Sequence, residues 1–503
     1  MREYGIEPVL PGYSGMVPHN AKDRLGLNVA DPGRWNGYPR PAFLQPTDPQ
    51  FERIAALYYQ EMTRLYGKAS YYSMDPFHEG GNTSGVDLEA AGKAIWKAMK
   101  QANPRAAWVV QAWGANPRPQ MIRDLPAGDM VVLDLFSESR PQWGDPASSW
   151  YRKEGFGQHD WLFCMLLNYG GNVGLHGKMA HLIEEFYKAK DSSFGKTLKG
   201  CRYDHGRYRN NPVMYELLCE LPWREQRFSK DEWLEGYLKA RYGKSDSQVS
   251  QAWMLLSNTI YNCPAASTQQ GTHESILCAR PSWKAYQVSS WSEMSDYYDP
   301  ADVIRAAGMM VDAAERFRGN NNFEYDLVDI VRQAVAEKGR LMYRVLVDAY
   351  KAGDRELFKL SSDRFLRLIL MQDRLLATRP EFKVGRWLES ARNLGSTEEE
   401  KDWYEWNARV QITTWGNRVA ADDGGLHDYA HREWNGLLRD FYYLRWKTWL
   451  DEQLKSFEGG QPKAIDFYAL EEPWTLKHNS YASEAEGNPV DIACEIYREI
   501  KLP

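Results

Sequence analysis

A glutamate followed by two glycines stands directly after a strand-like run at residues 71–77, in the order His78-Glu79-Gly80-Gly81. Because glycine lets a ligand approach the backbone closely, a carboxyl at this place is suited to act as a general acid. Neighbouring aromatic rings would desolvate the carboxyl and raise its pKa, which would keep Glu79 protonated near neutral pH. The alternative is a structural glutamate that accepts hydrogen bonds from local amides.

Two other acidic residues and two histidines occupy comparable places. Asp134 lies within the strand-like run at residues 130–136 and Glu138 follows it. For both we favour stabilising salt bridges over a catalytic role. His78 and His176 have no partner at a spacing typical of a metal or catalytic pair, so we predict hydrogen-bonded supporting roles for them.

The chain is rich in aromatic residues, with 20 Trp and 30 Tyr among 503 residues. Flat rings can bind the C–H faces of sugars, but the same rings also fill large protein cores. Trp113 and Tyr169 follow strand-like runs, and Trp415 lies in the second half of the chain. Each is a candidate sugar-binding platform, with a place in the core as the alternative.

The first half of the chain predicts the elements that position these residues. Strand-like runs alternate with helical stretches, among them residues 51–66 and residues 88–101, which Asp87 opens as N-cap. Such alternation predicts βαβ units and a parallel sheet. The six predicted strands lie near residues 8–10, 71–77, 107–113, 130–136, 161–167 and 197–203. A closed (β/α)8 barrel needs eight strands. An open doubly wound sheet is the alternative, although no GxGxxG or Walker loop follows a strand.

From about residue 243 onward the pattern is almost entirely helical. An apolar stripe at residues 303–314 predicts a helix capped by Asp302 and stopped at Gly319. A longer stripe at residues 327–345 is interrupted only by Lys338, and residues 355–378 and 429–455 have the same periodicity. We therefore predict a parallel-sheet domain at residues 1–242 and an all-helical domain at residues 243–503.

Charge and cysteine content exclude several classes of protein. The net charge of −6 is too acidic for a general nucleic-acid binder, and no apolar run is long enough to span a membrane. The six cysteines form no CxxC or Cys/His cluster, so we predict no metal site. Cys263 and Cys278 could form a disulfide, which spacing alone does not decide. The lack of a GxSxG turn disfavours an α/β hydrolase.

Eight blocks of sequence, taken together, indicate a family. In chain order they are PVLPGYSGMVP, DPFHEGG, VVQAWG, VVLDLFSES, CMLLNYGGNVGLHG, NNPVMYELLCELPWR, TTWG and LHDYAHREWNGL. They run in register from residue 8 to about residue 437 and resemble the α-N-acetylglucosaminidases of glycoside hydrolase family 89. The resemblance implies that residues 1–242 are part of an N-terminally truncated (β/α)8-type catalytic barrel, followed by an all-helical C-terminal domain. It also implies removal of terminal α-linked N-acetylglucosamine with retention of configuration, without a metal or organic cofactor.

The resemblance also assigns roles to individual positions. It implies that Glu79 is the general acid/base, and retaining chemistry then needs a second carboxylate roughly 5–5.5 Å away as the nucleophile. The remaining matched positions line or close over the sugar pocket in the family. These substrate-binding candidates are His78, Trp113, Leu135, Tyr169, Trp415, Leu426 and Tyr429.

One block departs from the family pattern. The family typically reads Gly-x-Gly-x-Thr-x-Glu-Gly-Ile before NNPVMYELL, whereas this chain has GCRYDHGRYR at residues 200–209, so the expected nucleophile falls on Gly206. Asp204 is the only nearby acid, and its shorter side chain two positions away makes it a weak substitute. Codons for residues 201–209, read one base later, can spell Val-Gly-Met-Thr-Met-Glu-Gly-Ile-Glu. We therefore hypothesise a compensated pair of frameshifts in the gene or in its sequencing.

The resemblance leaves several properties as expectations. The chain begins near the third barrel strand of the family pattern and without a signal-peptide pattern, so we expect an N-terminally truncated piece of a longer protein. The implied partner is a glycan with terminal α-linked N-acetylglucosamine, and the implied location is lysosomal in animals or exported in bacteria. Which glycan is bound and the oligomeric state stay open. A non-catalytic glycan-binding protein that uses the same pocket is the alternative function.

Overall fold

The computed structural model describes residues 1–144, 146–203, 210–264, 271–272, 274–289 and 297–501. Eleven strands lie within these residues. They are β1 (Val9–Pro11), β2 (Met16–Val17), β3 (Val29–Ala30), β4 (Arg34–Trp35), β5 (Tyr38–Pro39), β6 (Ala42–Leu44), β7 (Tyr71–Ser73), β8 (Ala107–Ala112), β9 (Met130–Asp134), β10 (Asp160–Met165) and β11 (Leu198–Tyr203).

The same residues contain sixteen α-helices. They are α1 (Ala21–Leu25), α2 (Gln50–Tyr66), α3 (Leu88–Ala102), α4 (Pro119–Ile122), α5 (Met179–Asp191), α6 (Pro212–Glu220), α7 (Lys230–Tyr242), α8 (Ser247–Asn258), α9 (Pro300–Ala313), α10 (Asn321–Lys351), α11 (Arg355–Leu376), α12 (Val384–Arg392), α13 (Glu398–Gln411), α14 (Tyr443–Leu454), α15 (Phe467–Thr475) and α16 (Pro489–Ile500).

The chain divides into two compact units. The sheet unit comprises Met1–Leu166, Leu182–Asp204 and Leu218–Glu225. The helical unit comprises Leu167–His181, His205–Leu217 and Gln226–Pro503. The domain boundary between residues 242 and 243 stays a prediction.

Six parallel strands form the main sheet of the sheet unit, in the order β1-β7-β8-β9-β10-β11. Each lies where the sequence predicts a strand. Central strands are buried almost throughout, as expected for a parallel sheet, and the register places Phe163 of β10 opposite Asp134 of β9. Because all six strands run the same way, the residues that follow β7, β8 and β9 lie along one edge of the sheet.

A smaller structure is inserted between β1 and α2. Strands β2, β6 and β3 form an antiparallel sheet, and β4 pairs with β5. Its residues Arg40 and Phe43 contact the turn that follows β7, with Phe43 and Phe77 ring centroids 4.5 Å apart. The insertion therefore supports the segment in which the sequence places the general acid.

Helix α3 illustrates how local sequence positions the sheet unit's helices. Asp87 accepts a hydrogen bond from the amide of Ala90 at 3.0 Å, which confirms the predicted N-cap. The buried side includes Ile95 and Met99. Gly92 is required for packing, because a Cβ there would lie 2.0 Å from the carbonyl oxygen of Met121.

The helical unit confirms most of the predicted helices and corrects two. Helix α9 is capped by Asp299, whose side chain accepts from the amide of Ala301, and not by Asp302. Pro300 occupies the first helical position, where its missing N–H costs nothing, so the helix begins earlier than predicted. Asp302 lies in the first turn and pairs with Arg305 at 2.8 Å.

The helix predicted over residues 429–455 is too long. A π-helical turn at Leu438–Tyr442 leads into α14, and the residues before it form turns. Asp428, His431 and Gly436 have φ angles of 56°, 29° and 86°, which interrupt a right-handed helix.

All six cysteines are free thiols, so Cys263 and Cys278 do not form the disulfide that the sequence left open. Within the described ranges, no helix combines the length and the apolar character that crossing a bilayer requires.

Candidate active site

The turn at residues 77–81, here called the Glu79 turn, follows β7 and carries the predicted general acid. Phe77 and Glu79 have φ angles of 61° and 51°, a left-handed conformation that costs non-glycine residues about 1 kcal/mol or more each. Glu79 is exposed, so the expected enclosure by aromatic rings is wrong. Its carboxylate accepts no hydrogen bond from the described residues, which disfavours the loop-capping alternative.

Arg40 holds the strained turn in place. Its guanidinium donates to the carbonyl oxygens of His78 at 2.8 Å and Glu79 at 2.7 Å. Gly81 closes the turn, and a Cβ there would lie 2.8 Å from the Cα of Phe77. The backbone on both sides of the Glu79 side chain is thus fixed while the carboxylate stays accessible. Nothing in the local sequence of Arg40, 38 residues before His78, predicts this role.

The loops after β8 and β9 bring three aromatic side chains together, here called the barrel aromatic set: Trp113, Phe136 and Trp150. Trp113 stacks on Phe136 with ring centroids 6.1 Å apart and lies edge-on to Trp150 at 4.5 Å. Trp113 and Trp150 are partly exposed, whereas Phe136 is buried. Leu135 is 2% exposed in a core cluster against which Trp113 packs, and its predicted sugar contact stays a prediction.

A side-chain contact connects the Glu79 turn with the loop that carries Trp113. The Nδ1 atom of His78 lies 3.3 Å from the side-chain nitrogen Nδ2 of Asn116. Asn116 in turn exchanges backbone hydrogen bonds with Trp113. These contacts connect the turn that carries His78 and Glu79 with the loop that carries Trp113.

Asp134 lies fully buried at the end of β9. Ser137 Oγ donates to its carboxylate at 2.9 Å and the amide of Gln142 does so at 3.3 Å. Burial raises the pKa of Asp134 to about 7, although both hydrogen bonds and the charge of Arg152 oppose the rise. The predicted salt bridge is wrong, because the Arg152 guanidinium hydrogen-bonds to Gln142 Oε1 and to the carbonyl oxygens of residues 116 and 117. Glu138 accepts a hydrogen bond from the amide of Leu166 at 2.9 Å.

A second group of aromatic residues, here called the helical aromatic set, lies within the helical unit: Tyr169, Trp415 and Tyr429. The Tyr429 ring centroid is 5.6 Å from that of Tyr169 and 4.8 Å from that of Trp415. Leu426 is buried, and its carbonyl oxygen accepts from the amide of Tyr429 at 3.1 Å. The structure thus brings together Tyr169, Trp415, Leu426 and Tyr429, although Tyr169 and Tyr429 are 260 residues apart in the chain.

Two consecutive glycines allow this packing. A Cβ on Gly170 would lie 2.9 Å from the Tyr429 ring, and a Cβ on Gly171 would lie 2.1 Å from the Arg432 guanidinium. Both have positive φ angles, 62° and 79°. Arg432 donates to the carbonyl oxygen of Gly170 at 2.9 Å. The Gly-Gly pair of the NYGGN block is therefore needed for both backbone conformation and close approach.

Buried asparagines fix the backbone around Tyr169. Asn210 donates to the carbonyl oxygen of Asn172 at 2.9 Å, and Asn211 donates to that of Gly174 at 2.8 Å. Asn211 Oδ1 accepts from the amide of His176 at 3.1 Å and from the hydroxyl of Tyr261 at 2.9 Å. Nothing in the sequence around Asn210 and Asn211 predicts this role, although the pair opens the NNPVMYELL block.

His176 is a hydrogen-bonded core residue, in keeping with a supporting role. Its Nδ1 atom lies 3.1 Å from the Tyr297 hydroxyl. Burial, aided by the charge of Lys178, lowers the pKa of His176 to about 3, so the ring is neutral at physiological pH.

Charged residues support the segment that carries Tyr429. Asp428 is fully buried and pairs with Arg445 at 3.0 Å and with His427 Nδ1 at 3.0 Å. The charge of Arg445 and the contact with His427 outweigh burial and lower the pKa of Asp428 to about 2. Arg445 also pairs with Glu471 at 2.7 Å. The turn before Tyr429 is therefore anchored by an ion-paired network.

The predicted nucleophile position lies outside the described residues. This applies to Gly206 and to the weak substitute Asp204. Glu79 is therefore the predicted catalytic residue whose surroundings are known, and its exposed carboxylate can transfer a proton to or from a bound ligand.

Three side chains in the described ranges come close enough to share a metal ion: Asp402, Glu405 and His478. Arg392 already donates from Nη1 to Asp402 and to Glu405, at 2.8 Å in each case. Its guanidinium supplies the positive charge that a cation would bring.

Two family models match nearly the whole chain. The α-N-acetylglucosaminidase (NAGLU) tim-barrel domain matches residues 1–225 and the NAGLU C-terminal domain matches residues 233–499. The predicted fold class, a (β/α)8-type barrel followed by an all-helical domain, is thereby confirmed.

Relatives give the same answer. Human α-N-acetylglucosaminidase is 31% identical over 521 residues, covering 99% of this chain and 67% of the human protein. A Clostridium perfringens family 89 enzyme with two Glu-to-Gln substitutions, solved with its substrate GlcNAc-α-1,4-galactose, is 34% identical with a TM-score of 0.91. The match covers 98% of this chain and 56% of that chain.

A second structure of a Clostridium perfringens family 89 glycoside hydrolase, in complex with PUGNAc, is 33% identical with a TM-score of 0.90, covering 98% of this chain and 56% of that chain. The chain thus spans a little over half the length of the solved structures it matches. Both domain matches and the 31% identity to a relative of which it covers two thirds lead to one conclusion: the chain belongs to the α-N-acetylglucosaminidase family, glycoside hydrolase family 89.

Proposed function

We propose that the chain is built to hydrolyse terminal α-linked N-acetylglucosamine, with Glu79 as the general acid/base. One observation carries the proposal: the Glu79 carboxylate is exposed on a strained turn that Arg40 fixes through two backbone hydrogen bonds. Strain of this kind is retained where a side chain must be held in a defined place for function. Family membership supplies the reaction.

The bacterial relative supports a mechanism with two carboxyl groups. That protein was captured with its substrate GlcNAc-α-1,4-galactose after two Glu-to-Gln substitutions. In a retaining mechanism one glutamic acid protonates the departing oxygen while a second carboxylate attacks the anomeric carbon. The first residue then removes a proton from water as the glycosyl–enzyme bond is hydrolysed. We assign the acid/base role to Glu79 and the nucleophile position to Gly206.

The chain as written lacks the nucleophile. Glycine at position 206 has no group to form the covalent intermediate, and loss of such a nucleophile typically costs several orders of magnitude in rate. We therefore expect hydrolysis by this exact chain to be very slow. Resequencing the coding DNA across residues 199–211 tests the frameshift hypothesis, and a clean read without a one-base slip refutes it.

The Gly206→Glu substitution, which gives the restored variant, tests the proposed function directly. With an aryl α-N-acetylglucosaminide we expect the restored variant to exceed the parent chain by several orders of magnitude in kcat/KM. Proton NMR should show the α-anomer of N-acetylglucosamine as the first product. Appearance of the β-anomer first would contradict the retaining mechanism, and turnover equal to the parent would contradict the assigned position.

The acid role of Glu79 predicts a dependence on the leaving group. Replacing Glu79 by Gln in the restored variant should strongly slow substrates with alcohol leaving groups, because these need a proton as they depart. Substrates with a highly acidic phenol leaving group should form the covalent intermediate nearly as fast as before. An equal loss of rate for both kinds of substrate would contradict the assignment of Glu79 as the general acid.

An external nucleophile provides a test on the parent chain itself. If glycine replaces the nucleophile, a small anion such as azide can attack the anomeric carbon from the side that the missing carboxylate would occupy, opposite the leaving group. The expected product is N-acetylglucosamine β-azide, with Glu79 protonating the leaving group. Formation of the α-azide, or of the β-azide at the same rate after Glu79→Gln with an alcohol leaving group, would oppose the mechanism.

Sugar binding is assigned to two groups of residues. We propose that the barrel aromatic set binds sugar through Trp113, and that the helical aromatic set binds sugar through Tyr169 and Tyr429. Separate Trp113→Ala and Tyr169→Ala variants test the two assignments by isothermal titration with PUGNAc. Unchanged affinity in one variant would exclude that set alone.

A second candidate function is favoured by the glycine at position 206 itself. A family member without its nucleophile can still bind terminal N-acetylglucosamine and serve as a non-catalytic glycan-binding protein. Binding without turnover, in both the parent chain and the restored variant, would support this alternative. For location we propose lysosomes if the source is an animal and export if it is a bacterium.

A further inference from the structure

An open groove in the helical unit is lined by exposed aromatic side chains. It encloses about 970 Å³, near the upper end of the roughly 300–1,000 Å³ typical of ligand sites. Trp403 is 64% exposed, although tryptophan side chains are on average largely buried. Trp406 lies beside it, with ring centroids 5.0 Å apart and planes tilted by 39°. We call this the Trp403 groove.

Helix α13 and the segment after α15 form the two walls of the groove. A capping box of Thr397 and Glu400 fixes the start of α13, and the spacing of three and four residues places Glu399, Trp403 and Trp406 on one side. The opposite wall carries Leu476 and His478.

The two walls are joined by specific contacts. Arg409 of α13 donates to the carbonyl oxygen of Asn479 at 2.9 Å and lies over the Trp474 ring at 4.7 Å. The groove is therefore preformed, and a ligand would not have to order it on binding.

Two carboxylates at the groove are already paired with arginines, whereas Glu399 and Glu400 have no cationic partner among the described residues. Arg392 pairs with Asp402 and Glu405, and Arg409 donates twice to Glu405, at 2.9 and 2.7 Å. Lys401 pairs with Glu398 at 2.7 Å. A strongly anionic ligand would meet the carboxylates. The charge pattern therefore disfavours an anionic ligand, and at Asp402 a cation has to compete with Arg392.

Donors and acceptors nevertheless remain accessible beside the rings. The Glu399 carboxylate and the Asp402 oxygens accept hydrogen bonds, and the His478 ring, 57% exposed, offers both functions. A neutral molecule with an apolar face and a polar, hydroxyl-bearing rim matches this combination, since C–H groups pack on indole faces while hydroxyls bond at the edge.

We propose that the Trp403 groove is a second, non-catalytic binding site for neutral oligosaccharides. It shares no residue with the Glu79 turn or with either aromatic set. Binding there is measured without turnover, so the proposal stands or falls independently of the proposed function.

Ligand-observed NMR and isothermal titration on the intact chain test the site. The probes are GlcNAc-α-1,4-galactose and maltotriose, with 2-acetamido-1,2-dideoxynojirimycin present in excess to occupy the proposed active site. We expect saturable binding of at least one probe, weakened on the order of tenfold by Trp403→Ala, which corresponds to loss of one stacked ring. Trp223→Ala is the matched control, because Trp223 is 86% exposed and lies outside the groove.

Three results would overturn the proposal. One is absence of oligosaccharide binding under inhibitor, and another is binding that Trp403→Ala and Trp223→Ala affect equally. The third is Trp403-dependent binding of spermine in preference to either sugar, which would make the groove a cation site. If Trp403→Ala lowers the Tm, Glu399→Gln replaces it, because that change keeps the helix surface and weakens one hydroxyl contact.

Discussion

Replacing Asp134 by Asn tests the electrostatics beneath the barrel aromatic set. Asp134 is fully buried, and its Oδ1 atom has no hydrogen-bond partner among the described residues. Its other oxygen accepts from Ser137 and Gln142, which belong to the loop that carries Phe136 and Trp150. The Asn side chain preserves the shape and can still accept those two hydrogen bonds, but it carries no charge.

The magnitude follows from the pKa of Asp134. Burial raises it from 3.8 to about 7, a shift of about three units, or about 4 kcal/mol at 1.36 kcal/mol per unit. The folded chain keeps its proton up to about pH 7 while the unfolded chain loses it near pH 4, so the stability of the parent falls as pH rises through this window. Somewhat over a third of the loss is already present at pH 5, which leaves about 3 kcal/mol between pH 5 and pH 9.

Urea unfolding at pH 5, 7 and 9 measures this effect. The buried amide nitrogen of Asn costs about 1–3 kcal/mol at every pH because it replaces an atom without a partner. We therefore expect the Asn variant to lie within about 1 kcal/mol of the parent in stability at pH 5, and to be the more stable protein at pH 9.

Asp124→Asn is the matched control, because the Asp124 side chain is 44% exposed and its charge is solvated in both states. A difference between the Asp134→Asn variant and the parent that is the same at pH 5 and pH 9 would refute the reasoning. A rise in parent stability between these pH values would refute it as well.

Three other outcomes are expected. Arg40→Ala removes two charge-assisted hydrogen bonds from the Glu79 turn, so in the restored variant kcat should fall more than KM rises, and the free energy of unfolding should drop by about 3 kcal/mol; Arg40→Lys should recover part of both. Gly170→Ala places a Cβ 2.9 Å from the Tyr429 ring at a φ of 62°, so titration with PUGNAc should show weaker binding, whereas Gly128→Ala, at a φ of 81° with open space around it, should not. Pairing with Arg445 and His427 lowers the pKa of Asp428 to about 2, so the contribution of Asp428 to stability is present above about pH 4 and lost as pH falls towards 2. Acid unfolding followed by circular dichroism should show this loss. Asp428→Asn should abolish that part of the pH dependence.

Hydrophobic periodicity was enough to predict the main sheet and most helices. All six parallel strands and the N-cap Asp87 lie where the sequence places them, since buried strands and capped amphipathic helices have strong local patterns. The N-cap of α9 is predicted wrongly for a reason that hydrophobic periodicity does not report. The apolar stripe predicts Asp302 as the cap because Asp302 precedes it, whereas Pro300 moves the start of α9 forward and leaves Asp299 as the cap.

Tertiary contacts account for what the sequence did not reveal. The segment before α14 keeps apolar and aromatic residues at helical spacing, yet Asp428 adopts a left-handed conformation that its ion pair with Arg445 stabilises. Arg40 and Asn211 act on backbone atoms of segments 38 and 35 residues away in sequence. No local pattern reports such contacts, so motif resemblance could propose site residues but not the residues that position them.

The segments on either side of residues 204–209, within the block that departs from the family pattern, are held by contacts of their own. On one side, β11 pairs with β10 as far as Met165 and Tyr203. On the other side, Asn210 and Asn211 are held by the backbone around Tyr169, and α6 follows directly. All of these contacts are made by residues outside positions 204–209. If position 206 is that of the nucleophile, as we propose, these contacts are available to the parent chain and to the restored variant alike, so we expect a difference in turnover between the two to report the effect of the carboxylate.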